Sequence, residues 1–143
     1  MVRTTKKLSA MRQILIAIRC IDSVDYECAV TLAGAAEGQI DEKLIPADTE
    51  PHLFRVIRKY FSSEATNEDV VWMKHPSGEN DREVTQFDVA LTILRAIQKY
   101  VAAYQETHVK FEEFSQWAVE RGHIPRPLTE KAPASHGLTP RRK

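Results

Sequence analysis

Cys28-Ala29-Val30-Thr31-Leu32-Ala33-Gly34-Ala35-Ala36-Glu37-Gly38-Gln39-Ile40 is an almost uncharged run of small residues carrying one carboxylate, Glu37. Ala29, Ala33 and Ala36 recur at spacings of three and four, and so do Val30, Gly34 and Gly38. On a helix such spacing makes a smooth, narrow face that another backbone can approach closely. Each Gly weakens a helix by about 1 kcal/mol relative to Ala, so tight packing or a site has to compensate. The run predicts a crowded helical core, with Ala29, Ala33, Gly34 and Gly38 at close packing or an interface.

Amphipathic stripes extend the helical reading on both sides. Leu8, Met11, Ile14, Leu15, Ile18 and Ile21 predict a first helix. Asp22-Ser23-Val24-Asp25 supplies caps for a second helix, ending before Pro46, and so short a connection predicts an antiparallel pair. Thr49-Glu50-Pro51 opens a third helix, and a fourth segment runs from Val70 to His75, read as helix for want of a partner strand. Thr85 and Asp88 resemble a capping box ahead of the longest clean stripe, Phe87 to Tyr104. Thr107 is expected to cap a last helix, which Arg121-Gly122 should end. The fold expected is an all-α, up-and-down bundle of five to six helices over residues 1–124, with the second and fifth central. Leu32, Ala33, Leu94, Ile97 and Val101 should be almost inaccessible. Residues 125–143 have the composition of a disordered basic tail.

Length and composition restrict function. A chain of 143 residues, 43% apolar and 28% charged, fits one soluble domain. Its zero net charge conceals a basic start, a tail of +4 and a body from Leu8 to Ile124 with 12 Lys/Arg against 19 Asp/Glu. An acidic body opposes a broad nucleic-acid-binding face. Cys20 and Cys28 form no Cys-x-x-Cys pair, and on apolar helical stretches they read as buried, reduced thiols of a cytoplasmic protein. No apolar run reaches the length of a membrane span, so no membrane partner is expected.

Glu37 admits two readings: a carboxylate at the helix edge in solvent, or an inward acid that orients a cation or imidazole from another helix. In the second, Lys74-His75 is the natural partner, since a neighbouring carboxylate raises an imidazole's pKa towards neutral pH, where it can serve as a general base or hydrogen-bond donor. Glu120-x-x-His123 has the spacing of a metal-ligand pair but occurs once and straddles Gly122, so no metal or cofactor is expected. No phosphate-binding Gly-rich loop or nucleophile elbow is present.

The run from Ala29 to Glu37, followed downstream by Trp72-Met73-Lys74-His75, resembles a group of uncharacterised small bacterial helical proteins. That group shares a Leu-Ala-Gly-Ala-Ala-Glu segment and a Lys-His segment ahead of an acidic loop. More distantly the plan resembles HEPN-like helical domains, including those of abortive-infection systems, in which an early acid faces a downstream His. The resemblance spans residues 25–105 and implies a place in a bacterial defence or toxin-antitoxin-like system. It departs from ribonucleolytic HEPN domains, because no Arg stands four to six residues ahead of any His. The function expected is therefore a non-enzymatic helical interaction module, self-associating as a homodimer or engaging another protein. The alternative is a metal-independent ribonuclease, RNA being its substrate, with Glu37, Lys74 and His75 catalytic.

Overall fold

A computed structural model describes residues 1–47, 72 and 80–124. Apart from the helical Trp72, four α-helices and one short 3-10 turn make up the regular structure of those residues, and none of them is in a strand. The helices are α1 (Lys6–Asp22), α2 (Tyr26–Gln39), α3 (Gln86–Tyr104) and α4 (Val109–Glu120), with the 3-10 turn at Glu42–Leu44. The third predicted helix and Lys74-His75 lie outside the described residues. Of the fourth segment only Trp72 is described, and it is helical.

The helix ends follow local chemistry. Thr5 caps α1 by accepting from the Leu8 amide. Thr85 and Asp88 form the complete reciprocal box at the start of α3. Thr107 does not cap α4; His108 does, its Nδ1 accepting from the Lys110 amide at 3.0 Å. An imidazole nitrogen can supply the same lone pair as a hydroxyl, so the cap moved one residue on. Gly122, at φ +78, follows the end of α4, where the His123 amide reaches Ala118 O and that of Gly122 reaches Val119 O. The same pair of bonds closes α1, from Asp25 to Cys20 O and Val24 to Ile21 O. There, however, Val24 holds the left-handed position, at φ 60.

α3 is the most buried element, with Val89 to Leu94 buried without interruption and Ala96, Ile97, Tyr100 and Ala102 beyond. α2 packs against both α1 and α3 through Ala29, Val30, Ala33, Gly34 and Ala36. α1 offers Ala10, Ile14, Ala17 and Ile21 to the same core, and α4 adds Phe111, Phe114 and Ala118.

Contacts at the ends fix the relative directions. Gln86 Nε2 donates to Tyr26 Oη at 3.4 Å and Arg95 meets Glu37, so α2 and α3 run the same way. Lys7 at the start of α1 reaches Glu106 just past α3, and His123 just past α4 reaches Gln86. Both α1 and α4 therefore run against α3, and they run alongside each other.

Several expectations are corrected. Leu32 and Val101 are only partly buried, whereas Ala33, Leu94 and Ile97 are nearly inaccessible. Cys28 is exposed and Cys20 half-buried, because the buried stripe of α2 begins at Ala29, one position and about 100° further round the helix. The end of α2 agrees with its expectation: it stops at Gln39, before Pro46, and the 3-10 turn at Glu42–Leu44 follows. Gly38 is exposed and open: a Cβ there would meet no atom within 4 Å.

Candidate functional site

Two features of the described residues carry chemistry, and the first contains Glu37. The last turn of α2 delivers this acid to the face of α3. Its Oε2 accepts from Arg95 Nη2 at 2.9 Å, and the two side chains keep only 14% and 13% of their exposure. One turn on, Lys99 Nζ donates at 3.0 Å to the backbone oxygen of Glu37, which also accepts from the Ile40 amide at 3.3 Å where the helix ends. Arg95 Nη1 is buried and has no hydrogen-bond partner among the described residues. Glu37 is thus an inward acid rather than a solvent-facing one, and the partner in view is Arg95.

Sequence reasoning missed Arg95 and Lys99, although a signal was there. Arg95 interrupts an otherwise apolar stretch between Leu94 and Ala96, both buried. A guanidinium in that position demands an anion, and Glu37 is the one acid of the small-residue run. Lys74 and His75, the other catalytic candidates, lie outside the described residues.

The second feature is a groove between α1 and α4, with a cavity volume of about 600 Å³. Leu15, Ile18, Ile21, Phe114 and Trp117 line its floor and walls, and Ile16 lies on it 39% exposed. Arg12 and Arg19 stand along the α1 side, and neither forms an ion pair among the described residues. On the α4 side Lys110 Nζ pairs with Glu113 at 3.3 Å in an exposed, weak contact. α4 sets Phe111, Phe114 and Ala118 into the core and touches α1 and α3 alike only lightly, which leaves the groove open along α1. An apolar trough of this size with charged borders is the form that binding sites and helix-accepting grooves take.

Elsewhere the polar groups serve the fold. Lys7 Nζ donates to Glu106 Oε1 at 2.6 Å, and the buried Tyr100 hydroxyl donates to Glu106 Oε2 at 3.3 Å. Those donors hold the Glu106 carboxyl below its usual range, Lys7 contributing most. Burial, reinforced by the Glu106 charge, pushes the Tyr100 hydroxyl up to about 12. His123 packs against Phe87 and Trp117 with Nε2 3.1 Å from Gln86 Oε1, and burial lowers its pKa. Glu120 accepts from Gln116 Nε2 at 3.2 Å. Among the described residues no three His, Cys, Asp or Glu are grouped to hold a metal ion, and no helix is long and apolar enough to cross a membrane.

No protein-family model, curated protein or solved structure matches this chain.

Proposed function

We propose that this chain is a non-enzymatic helical interaction module that docks a protein partner in the α1–α4 groove. One observation carries the reading: an apolar trough whose border holds Arg12 and Arg19 without partners among the described residues. Burying Leu15, Ile16, Ile18 and Trp117 under a partner would gain about 25 cal/mol per Å² of apolar surface covered. The two guanidiniums would supply orientation and specificity. The small-residue face of α2 is not available for this purpose, because Ala29, Ala33 and Gly34 are buried within the chain itself. A homo-oligomer and a different protein are both served by the groove.

The test is amide-resolved NMR, first across a concentration series of the protein and then with an added acidic amphipathic helical peptide. Resonances of α1 and α4 that border the groove should move in at least one series, while those of α2 stay fixed. A spectrum unchanged in both removes the docking reading.

A second reading is the HEPN-like ribonuclease, favoured by the held acid Glu37 with the cations Arg95 and Lys99 beside it. In it His75 would take the proton of a ribose 2′-OH, Glu37 would steady the imidazole, and Lys74 would offset charge on the phosphate. RNA cleavage by purified protein, lost in His75→Ala with the fold intact, would support it. Intact RNA after long incubation with the wild type would end it.

A further inference from the structure

Two stripes of side chains border the groove, one on each wall. On α1 the stripe is Arg12, Ile16 and Arg19, all exposed. On α4 Glu113 and Trp117 line the groove, and Glu120, beyond the lining, continues their row at the same spacing of four and three, with both acids exposed. Seven residues of helix rise about 10.5 Å and return to within about 20° of the starting direction. Each stripe therefore presents two like charges about 10.5 Å apart, flanking an apolar side chain. The charges of the two stripes are opposite in sign.

Within one chain the stripes leave each other uncompensated. No Arg12 or Arg19 ion pair occurs among the described residues. Glu113 meets Lys110 on its own helix, and Glu120 accepts from Gln116 one turn back. The groove that separates the walls keeps α1 cations and α4 acids apart.

We infer that the occupant of the groove is a second copy of this chain, in a two-fold dimer where the α1 stripe of each copy meets the α4 stripe of the other. The inference rests on the docking reading above and names its partner. An isologous contact requires a self-complementary surface, and these stripes supply one, so each Arg–Glu contact occurs twice. Because both charge pairs are seven residues apart, the match holds whether the facing helices run parallel or antiparallel. Ile16 and Trp117 then meet at the centre, where water is excluded, with the ion pairs outside them. Other occupants fit less well. The segment 125–143 carries +4 and would bring like charge to Arg12 and Arg19. An amphiphile with a single anionic head would answer one guanidinium and leave the other about 10.5 Å away.

The experiment is a charge exchange read by molar mass in solution, using the full chain. Wild type should have the mass of two chains at micromolar concentration. Arg12→Glu/Arg19→Glu should be monomeric there, and so should Glu113→Lys/Glu120→Lys, each with association weakened on the order of 100-fold or more. All four positions are exposed, and unchanged circular dichroism would establish that both variants fold. Mixed in equal amounts, the two variants should form a heterodimer, since each contributes the wall that complements the other. The fourfold variant in one chain should dimerise with itself. A wild type that stays monomeric, a dimer indifferent to both reversals, or a mixture that does not pair would each overturn the assignment. A monomer that nevertheless binds the acidic peptide would overturn the second copy while leaving the docking reading standing. A monomer that binds nothing would remove both.

Discussion

Val24 is a β-branched residue in the left-handed position where a helix end normally takes Gly, and the chain holds it there to turn from α1 into α2. Clash between its Cβ and the following carbonyl costs about 1–2 kcal/mol. Val24 is 66% exposed, so replacing it removes little packing. Val24→Gly should raise stability by about 1 kcal/mol, read as a higher urea midpoint. The Glu37–Arg95 pair tests a different physics. Removing Glu37 leaves a guanidinium, already unpartnered at Nη1 among the described residues, without its carboxylate. Breaking so nearly buried a pair costs about 3 kcal/mol, whereas replacing both ends by apolar residues leaves no orphan charge. Glu37→Ala should destabilise by about that amount, and Glu37→Leu/Arg95→Met should recover most of it. Equal melting of Glu37→Ala and wild type would show that the pair is idle.

The element that tests close packing is α2. Ala33 has no exposure between α1 and α3, while Ala35, two positions on, is partly open. Three added carbons at Ala33 have nowhere to go without moving a neighbouring helix. Ala33→Leu should cost about 1–3 kcal/mol and broaden the amide spectrum of α1 and α3, with Ala35→Leu milder. Similar unfolding midpoints for the two would mean that the small-residue face has slack. The helices themselves were largely legible in sequence, because periodicity of three and four and capping chemistry are local. The box at Thr85 and Asp88 and the stop at Gly122 are where their residues predict. The cap of α4 was misplaced from Thr107 to His108 because a His cap looks like any polar residue until its ring is oriented.

At the scale of the whole molecule, a partly buried imidazole and a buried phenol set a pH window for stability. His123 has a pKa below its ordinary 6.5 when folded, so the unfolded chain binds its proton more readily. Its contribution is complete above about pH 6.5 and is lost as pH falls towards the folded value. Tyr100 behaves in the opposite sense: raised to about 12 from 10, it keeps its proton in the fold after the unfolded chain has released it. Stability should therefore fall as pH rises from 10 to about 12. Urea midpoints measured from pH 4 to 11 should show a plateau with two shoulders. His123→Phe should flatten part of the acid shoulder and Tyr100→Phe the alkaline one. A midpoint unchanged between pH 9 and 11 in the wild type would contradict the burial of the Tyr100 hydroxyl.

The amino-acid sequence by itself determined that this chain makes helices, where most of the described ones begin and end, and that Ala29, Ala33, Leu94 and Ile97 are core. Those properties depend on neighbours within a turn or two, and on the free energy of moving apolar groups out of water. Only the tertiary structure decided that Glu37 faces Arg95, a residue 58 positions away, because that choice depends on which helices lie side by side and in which direction. It also decided that Leu32 and Val101 stop short of the core, and that Arg12, Ile16 and Arg19 border a groove opposite Glu113 and Trp117. Such a groove is absent from any single helix. It arises from how far apart α1 and α4 stand once α1 has packed mainly against α2 and α4 has set Phe111, Phe114 and Ala118 into the core.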